Sequence, residues 1–272
     1  MCPFMLQFGS DSGPHSVVPT EEASYYALET SCLTKAFHGF VAVRKVDLKV
    51  RRGAIHALIG PNGAGKTTCF NLISKFLQPS DGKILLDGND ITDLEPFEVA
   101  RLGMVRSFQI SSVFPDLSVL DNVKISLQQH ARMGHKFWSG PKSRDVLDDM
   151  AFSLLREVQL DDCAPVRAAE ISYGHKRSLE IATTLALEPS VLLLDEPTAG
   201  MSQKDVGTVT ALIRRLSSGR TILLVEHNLA MVESLCDRIT VLARGEIIAE
   251  GSYSEVAGDK SVKAAYLGTD HD

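Results

Sequence analysis

The chain has 272 residues, of which 44% are hydrophobic and 23% charged, and a formal net charge of −6. That length suits one large domain, or one domain with an inserted lobe, and the acidic balance argues against nucleic-acid binding, which shows a basic excess. No apolar run approaches the ~20 residues that cross a bilayer, and the N-terminus lacks the basic start and apolar core of a secretion signal.

The five cysteines, at 2, 32, 69, 163 and 236, form neither a C-x-x-C pair nor a zinc spacing. They read as reduced thiols of a cytosolic protein, Cys69 being a small packing residue. Residues 1–27 read as a flexible leader, on the turn and coil chemistry of Asp11-Ser12-Gly13-Pro14 and Val18-Pro19-Thr20-Glu21-Glu22. From Leu28 to Arg52 short strands are expected, with partial alternation at Val41, Val43, Val46, Leu48 and Val50 and a turn at Arg52-Gly53. Between them, Phe37 and Phe40 offer rings that can stack on a planar base, although spacing alone favours the core for both.

The apolar run Ile55 to Ile59 leads into Gly60-Pro61-Asn62-Gly63-Ala64-Gly65-Lys66-Thr67-Thr68, and a helical segment, Cys69 to Leu77, follows. Strand, glycine-rich loop and helix form the setting of a phosphate-binding loop. Glycines 60, 63 and 65 let the backbone bend so that several N–H groups point into one hollow, to which the helix adds its positive end. Lys66 can reach the outer phosphates of a nucleotide, and the Thr67 hydroxyl can ligate Mg²⁺.

Further strands are expected at Lys83 to Leu86 and from Gly103 to Gln109, with a short helix, Pro96 to Leu102, between them. From about 111 to 170 the β-branched runs stop. Asp121 to Arg132 and Val146 to Leu160 carry helical stripes, joined by a basic loop read as a solvated charged surface. This is a helical lobe inserted into an α/β core.

Ile171-Ser172-Tyr173-Gly174-His175 then runs into a helix, Ser178 to Leu187, and small residues at a helix start can offer N–H groups to an anion. Val191 to Leu194 lack alternation and fit a strand buried on both faces, with Asp195 and Glu196 at its C-terminal end. Adjacent carboxylates there are costly to bury without a purpose. Beside a phosphate-binding loop, Asp195 is placed to hold the Mg²⁺ shell and Glu196 to take a proton from an attacking water. Thr221 to Val225 is a second such strand, ending in Glu226-His227-Asn228, where open α/β sheets place ligands. A closing hairpin is expected over 238–249, and the segment 262–268 reads as amphipathic or docking.

In this order, these stations resemble the nucleotide-binding subunit of ATP-binding-cassette (ABC) transporters, over about residues 30 to 268. The segment 171–175 is similar to the family's signature, Gln109 to its glutamine loop, Asp195-Glu196 to the Walker B end, His227 to the switch histidine and Phe37 to the adenine-stacking aromatic. Ala199 to Ser202 falls where the family's D-loop lies. Tyr173 in the signature, the run Ser178 to Ala182, the long helical insert, Val225 to Asn228 and Ala265-Tyr266-Leu267-Gly268 most resemble the ATPases of branched-chain amino acid importers. Two positions depart from the pattern: His175 stands for the usual glutamine, and Ser202 for the D-loop's acid or amide.

The resemblance implies a P-loop NTPase cassette with a RecA-like core, an antiparallel β subdomain and a helical subdomain at about 111–170, the whole spanning 28–268 with a short tail, 269–272. It implies ATP and Mg²⁺ as cofactors. ATP would lie between residues 60–68 of one subunit and Ser172 and Gly174 of a second, identical or related. Gln109, Asp195 and Thr67 would attend Mg²⁺, Glu196 would be the base, His227 would hold the γ-phosphate and water, and Lys66 would be needed for binding and catalysis.

The implied partners are transmembrane permease subunits, met by the helical lobe and the segment Ser111 to Phe114, and indirectly a solute-binding protein. The implied place is the cytoplasmic face of the membrane. Urea or short amides are an alternative cargo. A soluble cassette ATPase is a second alternative, and the missing guanine-specificity Asn-Lys-x-Asp motif argues against a lone GTPase.

Overall fold

In the computed structural model, residues 25–107, 113–133 and 143–267 are described. The leader up to residue 24, Gln109, Ser111, Ser112, most of the basic loop and the tail from 268 onward lie outside them. The elements before the phosphate-binding loop are β1 (Tyr26–Phe37), β2 (Phe40–Val46), β3 (Lys49–Arg51) and β4 (Ile55–Ile59). Then come α1 (Lys66–Ile73), β5 (Asp81–Leu86), β6 (Asn89–Asp90), α2 (Pro96–Arg101), β7 (Met104–Ser107), α3 (Val119–Met133) and α4 (Ser143–Glu157). The C-terminal part holds α5 (Tyr173–Leu185), β8 (Val191–Asp195), α6 (Gln203–Leu216), β9 (Thr221–Val225), α7 (Leu229–Leu235), β10 (Arg238–Ala243), β11 (Glu246–Gly251), α8 (Tyr253–Gly258) and α9 (Lys260–Leu267).

The central sheet has the order β11-β10-β4-β9-β8-β7. Its strands are parallel except for β11, which returns antiparallel on β10. Strands β4, β8 and β9 are buried at every position, as expected where both faces are covered. Alternate residues of one strand serve opposite faces. Leu192 and Leu194 of β8 join one core with α3 to α7, while Val191 and Leu193 join a second core with α1. An antiparallel sheet, β2-β1-β5-β6 with β3 on β1, closes that second face. Among the described residues the helical insert has no core of its own, since Val123 of α3 and Leu155 of α4 share the first core with the sheet.

Three expectations need correction. The first strand begins at Tyr26 with Ala27 fully buried, inside the stretch read as leader. The helix expected from Ser178 starts at Tyr173, capped by Ser172. Neither Phe37 nor Phe40 is in the core; they are 39% and 69% exposed. They pair across the β1–β2 turn, at the end of the hairpin, beyond the register shifts along β1.

Candidate functional site

The parallel neighbours β4, β9 and β8 turn their C-terminal ends to the same end of the central sheet, and the phosphate-binding loop runs between the two sheets. Gly60 has φ +152°, and a Cβ there would lie 2.1 Å from the Leu242 carbonyl oxygen of β10. Gly65 has φ +97°, and its Cβ would lie 2.5 Å from the Ala42 carbonyl oxygen of β2. Only glycine fits both backbone approaches. The loop is tied to both sheets, because Gly245 between β10 and β11 donates its N–H to Ala64 O (2.9 Å) and accepts from the Arg44 N–H of β2 (2.8 Å).

Lys66 opens α1, and its Nζ donates to the carbonyls of Gly60 (2.7 Å) and Pro61 (2.9 Å). Burial lowers its pKa, while the charge of Glu196 opposes that shift. Tyr266 of α9 takes the Gly60 N–H; burial raises its phenol pKa and that N–H counteracts the rise. A cavity of about 280 Å³ is lined by Asn62 to Thr68 together with Phe40, Ala42, Glu196 and His227. Phe40 lines it and Phe37 does not, the Phe37 ring lying instead beneath Lys35, 5.3 Å from its Nζ.

Glu196, the first residue past β8, has φ +43°. A left-handed backbone on a non-glycine residue is strained, and such strain concentrates at functional sites. The Glu196 carboxylate reaches the turn after β9, where its Oε1 lies 2.9 Å from His227 Nε2. Asp195 is buried and its Oδ2 accepts from Arg106 Nη2 at 2.5 Å. Arg106, on β7, also donates to Asn71 Oδ1 (2.6 Å) and Ser74 Oγ (3.0 Å) on and beside α1, and its guanidinium covers the rings of Phe70 and Phe76. Arg177 of α5 donates to the Asp195 carbonyl (3.0 Å) and pairs with Glu180 (2.8 Å). Burial raises the pKa of Glu180, and Arg177 opposes this.

Ser172 and Gly174 are not among the residues lining the loop cavity. Ser172 Oγ accepts from the His175 N–H (3.2 Å), and a Cβ on the buried Gly174 would lie 2.7 Å from Asp205 Oδ1 of α6. A larger residue there would have to displace the Asp205 carboxylate, so the close approach of α5 to α6 favours glycine. Ser202 caps α6, its Oγ accepting from the Asp205 N–H (3.3 Å) and donating to Asp205 Oδ2 (2.6 Å). Phe114 is half exposed.

Sequence reasoning gave Arg106 no role, although an arginine inside a strand with buried neighbours demands an acid nearby. It placed Glu226 in the polar cluster that follows Val225 but gave it no role of its own. Thr67 lines the cavity and Asp195 directly precedes Glu196, which also lines it; both carry hard oxygen donors, Asp195 Oδ2 being held by Arg106. Among the described residues no group of three or more His, Cys, Asp or Glu side chains forms a metal cage. Such a set suits Mg²⁺, which takes one or two protein groups and draws the rest of its shell from phosphate and water.

Residues 43–199 match the family model described as ABC transporter, and residues 246–272 match that of the branched-chain amino acid ATP-binding cassette transporter. The chain is 38% identical over 250 residues to the high-affinity branched-chain amino acid transport ATP-binding protein BraF of Pseudomonas aeruginosa, covering 89% of this chain and 97% of the relative. It is 35% identical over 248 residues to LivG of Escherichia coli K12, with the same coverage of 89% and 97%. Among solved structures, it is similar to a nucleotide-free ATP-binding cassette of an ABC transporter, with a TM-score of 0.77, 30% identity and coverage of 88% and 97%. An ATP-binding cassette in its ADP conformation is similar at a TM-score of 0.79 and 29% identity, with coverage of 89% and 99%.

Proposed function

The chain belongs to the ATP-binding cassettes of ABC transporters, and from that membership we propose that it hydrolyses ATP to drive uptake of branched-chain amino acids. The cargo rests on the C-terminal match over residues 246–272 and on what the relatives are named for. Among the described residues no helix is long and apolar enough to cross a membrane. The chain would therefore reach the cytoplasmic face of the membrane by docking on permease subunits, which receive solute from a solute-binding protein.

The observation that carries the reading of the site is the Glu196–His227 pair, 2.9 Å apart on the rim of the cavity that Lys66 and Thr67 also line. The backbone N–H groups of residues 60–68 and the start of α1 hold the β- and γ-phosphates, and Lys66 adds its charge. Thr67, Asp195 and Gln109 would hold Mg²⁺, which would neutralise phosphate charge. Glu196 takes the proton of the attacking water, and His227 steadies the base and the γ-phosphate. Phe40, which lines the cavity, is better placed than Phe37, the aromatic to which the resemblance points, to meet the base of the nucleotide. Ser172 and Gly174 of a second subunit complete the pocket.

Glu196→Gln tests this directly. It keeps the shape of the side chain and removes the base, so turnover falls by about 10²–10⁴ while ATP still binds and holds two subunits together. Near-normal turnover in that variant sinks the assignment. Uptake of labelled leucine by vesicles holding the assembled transporter tests the cargo; uptake of urea in its place would redirect it.

A further inference from the structure

Glu226, at the end of β9, is only 3% exposed, yet both its carboxylate oxygens are engaged by loops that border the hydrolytic pair. Oε1 accepts from the Thr198 backbone N–H (2.9 Å) and the Thr198 hydroxyl (2.5 Å). Oε2 accepts from the backbone N–H groups of His227 (2.8 Å) and Asn228 (3.0 Å). One oxygen thus serves the loop leaving β8 and the other the turn leaving β9. Thr198 lies two residues past Glu196, in a turn closed by the Ala199 N–H on Glu196 O (3.0 Å). Glu196 in turn meets His227 at 2.9 Å. The contacts form a ring: Glu196, Thr198, Glu226, His227 and back to Glu196.

A carboxylate is the one side chain of this size with two acceptor oxygens and no donor. A glutamine would turn an NH₂ group toward N–H donors whichever way its amide faced. Burying a charge is costly unless hydrogen bonds compensate it, and here three N–H groups and a hydroxyl do so. Filling space at this position needs no charge; holding two loops at a fixed separation does.

We propose that Glu226 is a positioning residue for ATP hydrolysis, clamping the loop that carries Glu196 to the turn that carries His227. The inference rests on the reading of Glu196 and His227 as the hydrolytic pair. It makes a further role for the loop 197–202: a displacement of that loop pulls on Thr198 and passes through Glu226 to His227. The phosphate-binding loop is not part of the ring, so the backbone N–H groups and Lys66, which carry most of the hold on the nucleotide, are left in place.

The test compares the full chain with Glu226→Gln and Thr198→Val, measuring kcat, KM, the Kd of a fluorescent ATP analogue and the melting temperature. Glu226→Gln is expected to lower kcat by about 10-fold or more while KM and Kd stay within about 2-fold of wild type. Thr198→Val, which loses only the hydroxyl bond, is expected to lower kcat less, and adding it to Glu226→Gln should cost little more, because both act through one clamp. A lowered melting temperature with unchanged kcat in both variants overturns the proposal, as does an equal loss of kcat and ATP affinity. If Glu226→Gln does not fold, Thr198→Val decides alone, with kcat against Kd as the readout. Glu196→Gln is run in parallel. If it abolishes turnover while the clamp variants behave as wild type, the clamp alone is wrong; if it too turns over normally, the hydrolytic pair itself is misassigned.

Discussion

At the scale of single residues, the sheet holds a titratable group whose state is set by burial. His56 sits fully buried in β4, with Nε2 2.8 Å from Thr240 Oγ1 of β10. Desolvation is the main cause that lowers its pKa from 6.5 to about 4, with Glu250 opposing and Arg238 and Arg51 assisting. The unfolded chain therefore binds a proton between those pH values that the folded chain refuses. The neutral histidine's contribution is fully present above pH 6.5 and is lost as the pH falls toward 4, up to roughly 3 kcal/mol. Urea midpoints of the wild type should drop between pH 7 and 5 by more than those of His56→Gln. Parallel curves for the two proteins would show that His56 does not govern this window.

At the scale of elements, what could be read from the sequence depended on how local the cause was. Strands β4, β8 and β9 were legible because burial on both faces writes an uninterrupted apolar run. The phosphate-binding loop was legible because its glycines and lysine are consecutive. Helix α6 was not, since its first turns mix Gly207 with β-branched residues and only packing of Val209, Leu212, Ile213 and Leu216 decides for helix. Arg106 was illegible for a different reason: its partners Asn71 and Asp195 lie 35 and 89 residues away. It joins β7, α1 and β8, so its loss should be felt as a loss of packing among elements. Arg106→Met would leave the buried Asp195 charge without its cation, at a cost of about 3–5 kcal/mol. Adding Asp195→Asn should recover most of that loss in a denaturant titration. If the double variant is as unstable as the sum of the singles, the pair is not what Arg106 contributes.

At the scale of the whole molecule, the proposed site has two halves that one chain does not bring together. Lys66, Thr67, Glu196 and His227 line one cavity, while the exposed Ser172 sits at the start of α5 outside it. If two copies meet head to tail, each active pocket takes its phosphate-binding loop from one chain and its signature from the other. That arrangement predicts complementation. Lys66→Ala and Ser172→Arg should each be inactive alone. In a mixed dimer one pocket carries both defects and the other carries neither, so mixing the two proteins should restore turnover. Random pairing leaves about a quarter of all pockets intact, which bounds the recovery if pockets act independently. Ser172→Arg is suited to this because the side chain is exposed and its cap bond to the His175 N–H is worth only about 1 kcal/mol, so the variant should fold. A pocket built within a single chain predicts no recovery at any mixing ratio. Mixed dimers verified by native mass spectrometry that still fail to hydrolyse ATP would therefore remove the shared pocket.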